Sequence, residues 1–130
     1  MMTSVNDSVR NEDWLFVFKS TPVEQGLTAD GLDFCLVAAS FDVDLKLLFV
    51  GEGVQHIMKP AVSELRSISL PSYAKTFKAL ADFEIEQCFV FDQSLDCLNL
   101  VNNDLAIEVM SVNSKAMRSL MMSATKVFNF

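Results

Sequence analysis

Glycine is scarce in this chain, with 4 in 130 residues, about 3% against an average near 7%. No GxGxxG or GxxxxGK[ST] run occurs, so the common glycine-rich phosphate cradles are excluded. Histidine is rarer still, and His56 stands without a local Cys or Asp arrangement that would suggest a metal site or a triad. The three cysteines, Cys35, Cys88 and Cys97, form no CxxC and are spaced like neither zinc ligands nor a thioredoxin-type pair, so they are expected as free thiols. No apolar run approaches the roughly 20 residues that span a bilayer. Positive charge is also short: 10 Lys and Arg against 17 Asp and Glu give a formal charge of −7. Such a chain does not grip phosphate backbones unaided, so any nucleic-acid role is indirect. The opening stretch of residues 1–13 is polar and lacks the apolar centre of a signal peptide. The expectation is a cytoplasmic protein with a flexible arm over 1–13 and a single domain over 14–130.

What the chain does hold is apolar and aromatic. Hydrophobic residues make up 51% and include 11 Phe, enough for a packed core and too many for a disordered chain. For 130 residues, folding buries only about two thirds of the unfolded surface, so an apolar excess predicts exposed patches.

Short apolar runs rich in aromatic and β-branched residues predict five strands, at Trp14–Phe18, Leu45–Val50, Cys88–Phe91, Ala106–Met110 and Lys126–Phe130. Between them lie helical patterns. Thr28 or Asp30 is positioned to cap a helix running on to about residue 41, apolar nearly all round in its second half and so requiring cover on more than one side. Ser72–Ala81 places Tyr73, Phe77 and Leu80 on one face, and Asn113 can cap a last helix with Ala116, Met117, Leu120 and Met121 inward. Met58–Pro71 reads as a partly irregular loop with a short helix. Alternating strands and helices imply an α/β three-layer sandwich around a five-stranded, mainly parallel sheet.

Ligands of open α/β sheets bind beyond the carboxyl ends of the strands. The loop from Lys19 to Gly26 contains Glu24, which repels phosphate; a flavin-phosphate loop is the alternative to a plain solvated connection. Gly51-Glu52-Gly53 is a lone GxG with an acid between its glycines. Asp92, closing the third strand, suggests a phosphoacceptor, but Lys19-Ser20 replaces the acidic pair that would hold magnesium, so Asp92 is read as a turn former. Cys35 and Cys88 fall inside an apolar helix and a buried strand, as core thiols. Cys97 is more exposed, but Asp96 beside it offers a thiolate no cation. No catalytic, cofactor-binding or metal site emerges.

One set of residues carries a resemblance. Ser72-Tyr-Ala-Lys-Thr-Phe-Lys-Ala-Leu-Ala-Asp-Phe-Glu-Ile-Glu-Gln-Cys88 resembles the helix and strand entry of TusC/DsrF proteins of the DsrE/DsrF-like family, where an aromatic helix leads into D-I-E-Q-C. Gly31-Leu32-Asp33, Glu52-Gly53-Val54 and the aromatic ending Val127–Phe130 resemble that family at the corresponding places. The resemblance implies the DsrE-like fold and membership of a TusBCD or DsrEFH complex, in which TusB/DsrH-like, TusC/DsrF-like and TusD/DsrE-like chains form a dimer of heterotrimers. It further implies a part in passing persulfide sulfur toward 2-thiouridine at tRNA wobble positions or, alternatively, in dissimilatory sulfur oxidation. The reactive cysteine of that relay belongs to the TusD/DsrE chain, near the end of its third strand. Here that region is Val90-Phe91-Asp92, with no cysteine, which implies a non-catalytic partner subunit without cofactor, metal, membrane or direct nucleic-acid contact. The alternative makes Cys97 or Cys88 a direct sulfur carrier. Without its partners, the chain is expected to self-associate through its apolar surface.

Overall fold

The computed structural model describes residues 12–20, 27–41, 43–65, 73–83, 85 and 87–130. Of the arm expected over 1–13, residues 1–11 lie outside the described residues, as do loop residues 21–26 and the stretch 66–72, while Asp13 already begins β1. The elements are β1 (Asp13–Phe18), α1 (Leu27–Ala38), β2 (Asp44–Phe49), a 3-10 helix (Gly51–Ile57), α2 (Pro60–Leu65), α3 (Ala74–Phe83), β3 (Gln87–Phe91), α4 (Asp92–Cys97), a short 3-10 turn (Asn102–Asp104), β4 (Met110–Val112), α5 (Ser114–Ser123) and β5 (Lys126–Asn129).

The sheet order is β4-β3-β2-β1-β5, and every pairing within it is parallel. Alternation along each strand splits the side chains between two unequal layers. From β1, Phe16 and Phe18 join Leu47, Phe49 and Val90 on one face, against Leu32, Cys35 and Ala38 of α1 and Phe77 and Leu80 of α3. That face holds most of the aromatic mass: Phe18, Phe49 and Phe77 form a triangle with centroids 5.0 to 5.5 Å apart. Edge-to-face pairs of this kind add about 0.5–1.5 kcal/mol beyond burial. On the opposite face, Leu15, Val17, Leu48, Phe89 and Val112 meet Ala116, Met117, Leu120 and Met121 of α5. Asn113 caps that helix as its sequence predicts, its Oδ1 accepting from Ala116 N–H at 2.8 Å.

Two motif glycines turn out to be packing devices around Phe18. A methyl group at Gly53 would run into the Phe18 carbonyl oxygen, and one at Gly31 would lie 2.7 Å from the rings of Phe18 and Phe130. Only glycine lets α1 and the 3-10 helix close on the end of β1.

The structure corrects the expected fourth strand. Residues 106–109 do not join β3; pairing begins at Phe89↔Met110. Instead Met58 and Leu105 form an antiparallel bridge, Ala106 N–H donates to Ile57 O at 2.7 Å and Lys59 N–H to Asp104 O at 2.9 Å. With Leu105 and Ile107 buried in the main core, the chain is drawn away from the sheet edge. The expected cap is corrected too: Thr28 and Asp30 both lie inside α1, which starts at Leu27, and neither is the residue that precedes it. Asp92 begins the short helix α4, where the sequence suggested only a turn.

Candidate functional site

The carboxyl edge of the sheet brings together the ends of β1, β2, β3 and β5. Backbone donors there are largely consumed by the fold. Lys19 N–H and Ser20 N–H both donate to the Phe130 carbonyl, at 2.8 and 3.1 Å. Gly51 N–H donates to Ser94 Oγ at 2.6 Å, and Gly53 N–H to Val50 O at 3.0 Å. An anion cradle needs free N–H groups aimed at one point. Among the described residues, the amides of Lys19, Ser20, Gly51 and Gly53 at this edge are all engaged. The Gly51–Ile57 segment is a 3-10 helix with Glu52 exposed, and the Gly51–Ser94 bond ties it to α4. Within the described residues no group of three or more His, Cys, Asp or Glu could hold a metal ion.

His56 is not a surface residue. It is 1% exposed and lies under Tyr73, with ring centroids 5.5 Å apart. Its Nε2 is 2.9 Å from the Ser20 carbonyl and 2.8 Å from Thr28 Oγ1. A carbonyl only accepts, so Nε2 carries the proton and the Thr28 hydroxyl accepts alongside it. Nδ1 is left as a buried acceptor with no partner among the described residues. Burial pushes the imidazole below its ordinary value, opposed by the weaker pull of the Ser20 carbonyl. His56 thus pins the segment after β1, α1 and the 3-10 helix together as a neutral strut. The sequence offered no signal for this, since Thr28, Ser20 and His56 are far apart in the chain.

The thiols divide as their sequence surroundings predict. Cys35 is fully buried on α1, and its thiol is pushed up to about 12 by burial and then by the nearby Cys88 thiol. Cys88 on β3 is pushed up to about 11 by burial, its Sγ 3.8 Å from the Ile85 carbonyl. At neutral pH almost none of either thiol is in the nucleophilic thiolate form. Cys97 is exposed at the end of the short helix α4, away from the end of β3. The position where β3 delivers its last residue to the carboxyl edge is held by Phe91 and Asp92, without sulfur.

The outer surface of α1 is bare. Leu36 is 49% and Val37 55% exposed, and Phe41 just beyond is 57% exposed. Among the described residues, the all-round apolar helix is therefore covered on one side only.

A family model described as the DsrE/DsrF-like family matches residues 13–130. The chain belongs to the DsrE/DsrF-like family. Among curated relatives of this family member, the "Protein TusC homolog" of Vibrio vulnificus (strain CMCP6) is 27% identical over 115 residues, covering 88% of this chain and 96% of the relative. The Haemophilus influenzae "Protein TusC homolog" is 26% identical over 117 residues, covering 88% and 97%. The "Intracellular sulfur oxidation protein DsrF" of Allochromatium vinosum is 24% identical over 92 residues, covering 71% and 66%. The crystal structure of the ychN protein from E. coli superposes with a TM-score of 0.68 at 14% identity, over 92% of this chain and 99% of that one. That likeness establishes the fold, as the α/β sandwich with a parallel five-stranded sheet had predicted.

Proposed function

We propose that this protein is a non-catalytic structural subunit of a sulfur-relay complex. It holds TusB/DsrH-like and TusD/DsrE-like sister chains in place while they pass persulfide sulfur toward 2-thiouridine in tRNA. The observation that carries this reading is the thiol placement. The end of β3 has no cysteine, while Cys35 and Cys88 are buried thiols held far above neutral pH. A persulfide carrier needs an accessible, readily ionised sulfur. The bare face of Leu36, Val37 and Phe41 supplies what a scaffold needs, an apolar surface for another chain.

The biosynthetic role is preferred to sulfur oxidation because TusC homologues match along 88% of the chain and the DsrF relative along 71%. The setting is cytoplasmic, and tRNA is met by another enzyme, in keeping with the charge of −7. No described helix is long and apolar enough to cross a membrane. The test is co-expression with both sister chains, with Cys35, Cys88 and Cys97 replaced by Ser together. Assembly and tRNA 2-thiouridine are expected to persist. Intact assembly with thiolation lost would transfer the role of carrier to this chain, with Cys97 as the first thiol to examine by mass spectrometry for a persulfide adduct.

A further inference from the structure

The two helices that pack on opposite faces of the sheet, α1 and α5, carry opposite charge. Residues 27–44, which hold α1, contain Asp30, Asp33, Asp42 and Asp44 and no Lys or Arg. Residues 109–130, which hold α5, contain Lys115, Arg118 and Lys126 and no Asp or Glu. On α1 an outward stripe is formed by Asp30, Asp33 and Val37, at positions i, i+3 and i+7 of one helix face, and all three are exposed. On α5 the outward stripe is Lys115, Arg118 and Met122, at the same spacing and likewise exposed. Val37 is 55% and Met122 80% exposed. None of the charged groups in the two stripes is ion-paired among the described residues. Both helices run from the carboxyl to the amino end of the sheet, since each follows one parallel strand and leads into the next.

We propose that the isolated chain assembles head to tail, the α1 stripe of one copy lying on the α5 stripe of the next. Laid parallel, the two helices set Asp30 against Lys115, Asp33 against Arg118 and Val37 against Met122 in a single register. The occupant is a second copy because this chain itself supplies a stripe of matching spacing and opposite sign. Pairing α1 with α1, or α5 with α5, would set like charges together. Because the stripes lie on opposite faces of the sheet, one pair of copies cannot close both contacts. Each added copy leaves one α1 and one α5 free, so assembly grows past the dimer into a ring or an open stack. A contact between two helices is small for an interface, so it forms on concentrating the protein and leaves the dilute chain monomeric. The proposal rests on the sulfur-relay reading only in taking α1 as a docking face, which a sister chain covers there and another copy covers here.

Sedimentation velocity of the purified full chain, from low-micromolar to millimolar concentration, is the test. The weight-average mass should rise past that of a dimer, and less so at high salt. Asp30→Lys/Asp33→Lys and Lys115→Asp/Arg118→Asp should each weaken association at least tenfold. An equimolar mixture of the two variants should recover it, because the swapped α1 of the first fits the swapped α5 of the second. All four positions are exposed, so both variants keep their core, and cooperative urea unfolding checks that they do. A chain that stays monomeric, growth that stops at a dimer, undiminished association in either variant, or a mixture that stays apart overturns the proposal. None of these results reads tRNA thiolation or co-purification with sister chains, so the two readings fail separately.

Discussion

The hydroxyl of Thr28 on α1 and Nε2 of His56 in the 3-10 helix meet at 2.8 Å inside the protein, where the imidazole is neutral. Burial lowers the folded-state pKa of His56 below its ordinary 6.5. The unfolded chain therefore takes up a proton below pH 6.5 that the folded chain refuses, so stability is lost as pH falls through 6.5 toward the folded pKa. Urea unfolding at pH 7.5 and 5.5 should give a lower midpoint at 5.5. His56→Phe should remove this histidine's contribution to the drop. Thr28→Val at pH 7.5 should cost about 1 kcal/mol, one hydrogen bond, because the Ser20 carbonyl still receives the Nε2 proton.

Thiol accessibility gives a second prediction. With a chromogenic disulfide reagent at pH 8, one thiol per chain should react within the mixing time and two only after unfolding in guanidinium. Cys97→Ser should erase the fast phase, and Cys88→Ala should leave it untouched. Fast reaction of two thiols would contradict the burial of Cys35 and Cys88.

Three glycines should rank by mechanism. Gly51 has φ +57° with open space around it, so Gly51→Ala costs only the left-handed backbone penalty, about 1–2 kcal/mol. Gly53→Ala drives a methyl into the backbone of Phe18 and should cost about 3 kcal/mol or more. Gly31→Ala meets ring atoms, which can shift slightly, and should fall below Gly53→Ala. Denaturant unfolding of the three variants checks the order.

The sequence pattern revealed much of this fold because the signals were local. Trp14 to Phe18 reads as a strand on its own composition, Asn113 announces a helix by its own capping chemistry, and Cys35 and Cys88 show their burial through apolar neighbours. What failed depended on distant partners. Residues 106–109 look like a strand, but the bridge between Met58 and Leu105 outweighs that local preference. Thr28 resembles a cap until His56, 28 residues away, is seen to hold it. The motif glycines were visible, yet their reason, the close approach to Phe18, belongs to the folded chain alone.

The bare face of α1 gives a fourth prediction. The last turn of α1 has no basic residue, so Leu36→Lys/Val37→Lys suits the helix dipole and should change the isolated chain's stability by less than about 1 kcal/mol. The same variant should fail to co-purify with the TusB/DsrH-like and TusD/DsrE-like chains proposed as its partners. Retained assembly at wild-type yield would place the interface elsewhere.

The parallel pairing of Trp14 with Lys126 also has a consequence in time. A chain leaving the ribosome at about 5–20 residues per second makes β1 roughly 6 to 22 s before the strand that completes its sheet. Throughout that interval one flank of the aromatic strand β1 is unguarded, and it offers its peptide groups to any neighbouring nascent chain. Birth, more than maturity, is the moment at which this protein most needs company.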